Sequence, residues 1–173
     1  MKLVSRQVER FFGSFEHSLD AKGRIILPAR LRAPFETKRA LVSCYVDKCL
    51  AVWTPAEFEY YLARAEAMES MGGDGRKLAR VLSAMSAEVE IDGQWRLTLP
   101  PTMRDWATLQ VDRPVMVVGA LNRVELWQPD LWRQNMATSL ESLADGTSPL
   151  FSGPGGPGSG PGAAPAMAAG GPV

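Results

Sequence analysis

The stretch "DAKGRIILPARLR", residues 20–32, returns in altered form as "DGQWRLTLPPTMR", residues 92–104. Laid together without a gap, the two stretches share an aspartate, two arginines, a leucine and a proline: Asp20 with Asp92, Arg24 with Arg96, Leu27 with Leu99, Pro28 with Pro100, and Arg32 with Arg104. The match extends to "AVWTP" at 51–55 and "ELWQP" at 125–129, after a shift of two residues. We therefore expect two tandem copies of one module, which argues against an enzyme built around a single cleft.

The composition is sufficient for a folded core, and the charged residues are distributed unevenly along the chain. The 173 residues are 46% hydrophobic and 22% charged. Each copy alone is near the size at which a core is marginal, so the copies are expected to pack on each other. Formal net charge is zero, yet residues 1–40 carry nine Lys or Arg against four Asp or Glu, a net of +5, while residues 41–92 carry five against nine, a net of −4. Basic charge thus gathers around the first copy of the motif.

Several functional classes lack their sequence signals. No apolar run approaches the roughly 20 residues of a membrane span, and the N-terminus has no apolar core of a signal peptide, so a cytoplasmic protein is expected. Cys44 and Cys49 have no second cysteine pair, and the single histidine, His17, is distant. No metal site is therefore predicted, and both cysteines are expected to be reduced structural thiols. Phosphate-loop motifs are missing as well, so no cofactor is predicted.

Strands are predicted in pairs within the first copy. "SFEHSL" (14–19) and "RIILP" (24–28) predict two strands joined in a hairpin-like unit, with Gly23 in the turn. "ALVSCYV" (40–46) and "CLAVW" (49–53) predict a second pair. The second copy repeats the plan.

Helices are predicted between and after the copies. Thr54 can cap a helix over 55–68, with Pro55 at its first position and Glu57 closing a capping box. Its predicted buried face consists of Phe58, Tyr61, Leu62 and Ala65. After the break "MGGDG", a second helix is predicted over 76–85, with Leu78, Leu82 and Met85 in register. A last helix opens at Pro129, with a predicted buried side of Trp132, Met136, Leu140 and Leu143.

These elements give a predicted domain organisation. It consists of a first module at 12–57, a helical linker at 58–85, a second module at 86–130, a C-terminal helix at 131–144 and a disordered tail at 145–173. The tail is rich in Gly, Pro and Ala and has no charged residue beyond Asp145, so it cannot repay the entropy of ordering.

The repeated acid and arginine have a structural interpretation and leave a basic remainder. Asp and Arg four residues apart across a turn can form a charge-assisted pair, whose carboxylate also accepts turn N–H groups. No nucleophile, histidine or metal-ligand set accompanies them in both copies, so we predict no enzyme activity. Lys22, Arg30 and Arg32 remain, and they fit either a solvated face or a phosphate-binding hairpin tip that enters a major groove.

The paired Asp-x-x-x-Arg motifs, each followed by an apolar strand and a proline, resemble the MraZ family of bacterial transcriptional regulators. That resemblance implies an α+β, β-rich fold: two tandem swapped-hairpin modules of the SpoVT/AbrB type, forming a pseudo-dimer in one chain with linking and C-terminal helices. It further implies sequence-specific binding of double-stranded DNA at direct repeats upstream of the protein's own division and cell-wall operon. A homo-oligomeric ring and nucleoid association are also implied.

From the resemblance, the DNA-facing role is assigned to Lys22 and Arg24, and Arg30 and Arg32 are added from their charge. The structural motif comprises Asp20 with Arg24 and Asp92 with Arg96. Trp95 stands in the place of Gly23. This departure favours a packing or subunit-contact role at the second tip over a DNA contact.

Two alternatives stay open at this point. A protein-interaction or antitoxin-like module of the same fold ranks lower, because such a role would call for an amphipathic or charged tail. The other alternative is a purely structural ring, in which four large side chains would lie at subunit contacts: Trp106, Trp127, Trp132 and Met136. Ordinary core positions are the preferred interpretation for these four.

Overall fold

The computed structural model describes residues 10–70 and 72–148. The chain divides into a first unit that ends at Trp132 and a second that begins at Arg133. The strands are β1 (Ser14–Ser18), β2 (Arg24–Ile26), β3 (Arg39–Cys44), β4 (Leu50–Trp53), β5 (Ser86–Glu90), β6 (Arg96–Thr98), β7 (Pro114–Gly119) and β8 (Val124–Trp127). The helices are α1 (Pro55–Glu69), α2 (Gly73–Ala84), α3 (Pro101–Trp106) and α4 (Pro129–Ala144).

Two sheets carry these strands, and both interleave the two copies. The larger sheet has the order β1-β7-β8-β4-β3-β5, and the smaller pairs β2 with β6; the registers are antiparallel throughout. Phe15 of β1 lies opposite Val117 of β7, and Val89 of β5 lies opposite Ala40 of β3. Each copy therefore gives its first strand to the other copy, as the swapped, pseudo-dimeric, β-rich α+β fold requires.

The predicted pairing of the first two strands with each other is wrong. β1 pairs with β7, whereas β2 pairs with β6, so both strands leave the turn at residues 20–23 toward partners in the second copy. Pairing within a hairpin depends on both strands lying in one sheet, and here the turn sends them into two different sheets. The strand positions themselves, and the β3–β4 pair, agree with the sequence prediction.

The main core takes equivalent residues from both copies. Ile25 and Leu27 of the first copy are fully buried, as are Leu97 and Leu99 of the second to within 1%. All four belong to one apolar cluster that also contains Leu31, Phe35, Val42, Val117 and Leu126. Because neither half encloses this cluster alone, the copies stabilise each other.

Helix α1 begins where the sequence predicts, and α2 begins earlier. The Glu57 backbone N–H donates to Thr54 Oγ1 (3.4 Å), and the buried Phe58 ring packs near Trp53. Helix α2 begins at Gly73, three residues before the prediction. Asp74 lies in the first turn of α2, where its carboxylate interacts favourably with the helix dipole and stabilises the earlier start. The glycine-rich break between α1 and α2 is therefore shorter than expected. The short helix α3 was not predicted.

Helix α4 begins at Pro129 as predicted, where the Leu131 N–H donates to Gln128 Oε1 (2.8 Å). The predicted buried side is wrong at Leu140 and Leu143, which are 52% and 46% exposed. Helical periodicity identifies an apolar face but does not say whether anything covers it. From Pro149 onward, the predicted disordered tail lies outside the described residues.

The two cysteines are free thiols, Cys49 buried and Cys44 half-buried. Burial raises the pKa of both, which disfavours the reactive thiolate.

Across residues 10–70 and 72–148, no helix is long and apolar enough to cross a membrane.

Candidate nucleic-acid interface

The turn between β1 and β2, residues 20–23, is the first tip. Asp20 Oδ1 accepts the backbone N–H groups of Lys22 and Arg24, both at 2.9 Å, and its Oδ2 accepts Arg24 Nε at 2.7 Å. Gly23 has φ +71°, and its N–H donates to the Asp20 carbonyl at 2.8 Å. The hydrogen bond from the Arg24 side chain is the main reason that the pKa of Asp20 falls to about 2.

The turn between β5 and β6, residues 92–95, is the second tip and repeats this geometry. Asp92 Oδ1 accepts the backbone N–H groups of Gln94 (2.8 Å) and Arg96 (3.0 Å), and Oδ2 accepts Arg96 Nε (2.7 Å). The backbone N–H of Arg96 is the largest of the causes that lower the pKa of Asp92. At the position of the glycine stands Trp95, with φ +63°. Both acids thus fold their turns and orient an arginine.

The ribbon formed by β2 and β6 joins the two tips. Its register places Arg24 opposite Thr98 and Ile26 opposite Arg96. Side chains alternate across a strand, so these four share one face, while Ile25 and Leu97 point into the core. The outward face therefore carries one arginine from each copy.

Each copy also sends an arginine across to the tip of the other. The Leu27 N–H donates to the Trp95 carbonyl, and the Leu99 N–H donates to the Gly23 carbonyl, both at 2.9 Å. The chain that follows each strand consequently passes the opposite tip. The residues it carries there are the crossing arginines, Arg32 and Arg104.

The crossing arginines are fixed in equivalent ways. Arg32 Nε donates to the Leu27 carbonyl (2.8 Å), and its guanidinium carbon lies 5.4 Å from the centre of the Trp95 ring. Arg104 Nε donates to the Leu99 carbonyl (3.2 Å), and its guanidinium covers Gly23 so closely that an added Cβ there would lie 3.0 Å from it. Each tip therefore gathers its own arginine and one from the other copy.

The structure separates the basic residues that the sequence grouped together. Lys22 is exposed at the first tip beside Arg24, whereas Arg32 lies at the second tip. Arg30 is exposed on the one-turn helix Ala29–Leu31. Among the described residues, it makes no hydrogen bond or ion pair, so nothing ties it to either tip.

Sequence reasoning missed Arg104 and Lys38. The repeat did pair Arg104 with Arg32, and that alignment was the available signal for a shared role. Lys38 has no such signal; its ammonium group lies over the Trp95 ring. Burial is the main cause that lowers its pKa, the charge of Arg32 lowers it further, and Asp92 opposes the shift.

A second surface feature lies at the two linking helices. A cavity of about 520 Å³ opens between α1, α2 and the β3–β4 turn. The cavity is called the helical groove, and four exposed large side chains line it: Val46, Tyr60, Leu78 and Val81.

For the part of the chain that the structure describes, no cluster of three or more His, Cys, Asp or Glu could hold a metal ion.

Two interleaved β modules with paired Asp-Arg turns define the tandem SpoVT/AbrB class of protein. A family model described as "MraZ protein, putative antitoxin-like" matches residues 11–81 and 83–152. A transcriptional regulator MraZ of Treponema pallidum (strain Nichols) is 33% identical over 141 residues, covering 81% of this chain and 93% of the relative. Proteins of the same name from Natranaerobius thermophilus and Pseudomonas putida are 34% and 35% identical, over 78% and 77% of this chain and 94% and 89% of the relatives. The chain belongs to the MraZ family, whose matched members are named transcriptional regulators.

Proposed function

We propose that the protein is a DNA-binding transcriptional regulator and that the outward face of the β2–β6 ribbon, with its two tips, meets double-stranded DNA. The observation that carries the proposal is the common face of Arg24 and Arg96, one from each copy. A two-stranded ribbon fits a major groove, where arginine can bind guanine edges or phosphates.

The electrostatics of the two tips support this role. The first tip carries Lys22 and Arg24, and Arg104 of the other copy lies against it. The second tip carries Arg96, and Arg32 of the other copy lies against it. The chain is neutral overall, so its positive field is local. A local field of this kind attracts phosphate without making the whole surface bind nucleic acid.

The operator is proposed from the family. We expect direct repeats upstream of the protein's own division and cell-wall operon, read by a cytoplasmic, nucleoid-associated protein. Repeated half-sites suit repeated subunits, because linked contacts gain by effective concentration.

The test measures binding of the protein to its own upstream DNA and to a scrambled duplex across a salt series. Wild type should prefer its own DNA and lose affinity steeply with salt, through counterion release. The double variant Arg24→Ala/Arg96→Ala should lose binding to both duplexes. The control is Arg76→Ala/Arg80→Ala on α2, which removes the same charge away from the ribbon and should bind as wild type does. Salt-independent binding, or a double variant that still binds, would contradict the proposal.

We further propose that the protein assembles with itself into a ring, through the helical groove. Its four large hydrophobic side chains are 52% to 62% exposed and line one cavity, and contiguous exposed apolar surface marks interaction sites. Replacing Leu78 and Val81 by glutamate should lower the assembly mass measured by light scattering. The α2 substitution Arg80→Glu is the control.

An antitoxin-like role remains the second candidate, and the same groove favours it. In that case, the glutamate variants would keep the wild-type mass but lose binding to a toxin-like protein partner. A fall in mass instead assigns the groove to self-assembly.

A further inference from the structure

Trp95 occupies a backbone position that a bulky side chain ordinarily avoids. Its φ of +63° lies in the left-handed region, where Cβ crowds the backbone, and the equivalent residue of the first tip is glycine at φ +71°. Non-glycine residues in such conformations persist only where surrounding contacts hold them, and they concentrate at functional sites. The contacts of the indole ring are therefore informative.

The indole ring holds two cations that belong to the first copy. The Arg32 guanidinium and the Lys38 ammonium group both lie over it, although like charges repel. An aromatic face attracts cations through its quadrupole, tryptophan most strongly. The Lys38 backbone is also tied to the second copy, because its carbonyl accepts the Ile91 N–H at 2.8 Å. Ring and backbone together hold the pair beside the second tip.

The Arg32 side chain keeps part of its donor capacity. Its Nε donates to the Leu27 carbonyl, and its terminal amino groups donate to no other described residue. By contrast, Arg24 directs Nε and one amino group to Asp20. A guanidinium fixed by Nε and by a ring face still presents an edge with the geometry that phosphate oxygens accept.

Charge at the second tip needs such a supplement. The first tip has Lys22 two residues after its aspartate, and the second has Gln94 at that place. Arg32 is matched by Arg104 at the first tip, so it is Lys38, also from the other half of the chain, that replaces the missing charge beside Trp95.

We propose that Trp95 is a positioning residue that holds Arg32 and Lys38 as a paired binding site for the backbone phosphates of double-stranded DNA at the second tip. The inference rests on the proposed DNA-binding function. It assigns the second tip an active part in affinity, through phosphate contacts that carry no base preference.

The experiment compares wild type, Trp95→Gly and Trp95→Tyr by fluorescence anisotropy with the protein's own promoter duplex and a random duplex, across a salt series. Trp95→Gly removes the ring and relieves the strained backbone. It should weaken binding to both duplexes by a similar factor, roughly tenfold, and reduce the slope of log affinity against log salt by about one to two. Trp95→Tyr keeps an aromatic face and should retain most of the slope.

Loss of folded protein would lower affinity at every salt concentration without changing this slope, so the slope separates positioning from mere stability. Lys38→Gln should weaken binding in wild type and have less effect in the Trp95→Gly background, because the pair has already been released. An unchanged slope in Trp95→Gly, or a loss confined to the promoter duplex, would overturn the proposed role. Absence of salt-dependent binding by wild type would overturn the DNA-binding function itself, which is a distinguishable result.

Discussion

The first tip closes over Gly23 and the second closes over Trp95, yet the hydrogen bonds around them match. In both, the carboxylate accepts two turn N–H groups and an arginine Nε. The aspartate and the arginine therefore determine the turn with glycine at the left-handed position of the first tip and with a strained tryptophan at that of the second. The two tips differ in what lies over that residue: Arg104 at the first, and Arg32 with Lys38 at the second.

A similar contrast occurs at the ends of β3 and β7. Cys44 ends β3, and its N–H donates to the Met85 carbonyl (3.0 Å); Gly119 ends β7, and its N–H donates to the Gly13 carbonyl (2.7 Å). Only at Gly119 does another backbone segment fill the place of a side chain. The end of β3 therefore has room for a side chain, whereas the equivalent end of β7 does not.

Gly119→Ala should have the largest effect on stability. The added Cβ would lie 2.6 Å from the backbone carbon of Phe11, which cannot move without disturbing the backbone hydrogen bonds between residues 11–13 and 119–121. We expect a loss of about 3 kcal/mol in the free energy of unfolding, measured with urea. Cys44→Ala is the matched substitution in the first copy and should cost about 1 kcal/mol or less. Equal losses would show that the two strand ends are equivalent after all.

The aromatic pairs at the starts of α1 and α4 give the next comparison. Phe58 is 6% exposed and lies 6.4 Å from Trp53, while the half-buried Trp132 lies 5.6 Å from Trp127. Phe58→Ala should lower the free energy of unfolding by about 3 kcal/mol. Trp132→Ala should lower it by about 2 kcal/mol, because the half-buried Trp132 has less of its side chain in the core. Light scattering should give both variants the wild-type mass. A lower mass for Trp132→Ala alone would place that ring at a subunit contact.

Arg24→Ala and Arg96→Ala test whether both tips bind DNA. Because the residues share one face of the ribbon, each single variant should lose about tenfold in affinity for the upstream duplex near 0.1 M salt. Anisotropy titrations measure this loss directly. If Arg96→Ala binds like wild type, the DNA-facing surface is limited to the first tip, as the sequence interpretation held.

The acid limb of stability should show the smallest difference. The folded-state pKa of Asp20 is about 2, below its ordinary 3.8, so the stabilisation by its ionised form is complete above about pH 4 and disappears as the pH falls through 2. Asp20→Asn should flatten the loss of stability between pH 4 and 2 in urea unfolding. Asp92→Asn should act in the same direction, since its pKa is also lowered. A wild-type slope in Asp20→Asn would contradict the ion pair.

Local features were predictable from the sequence, and the partners of those features were not. The turn at Asp20 and Arg24 depends on residues four apart, and the start of α1 depends on Thr54 and Pro55, so both follow from neighbours in the chain. The pairing of β1 with β7 depends on residues about one hundred positions away. Spacing also says nothing about coverage, which is why the side chain of Leu140 was expected to be buried.

The crossing arginines show where a repeat holds more information than its individual residues. Arg32 was grouped with Lys22 because the two are close in sequence, but the swap carries Arg32 to the opposite tip. Arg104 aligned with Arg32 from the start. Its relation to Gly23 required the knowledge that β2 pairs with β6, a nonlocal contact.

Covalent connection of the two copies has a consequence for symmetry. A homodimer of single-module chains must place the same residue at both turns, since one codon specifies both. In this tandem chain, glycine and tryptophan stand at equivalent positions, because each half can accumulate substitutions separately. The face formed by the two tips has no exact dyad axis, so under the proposed function it has a direction along a duplex and does not require an inverted repeat in the DNA.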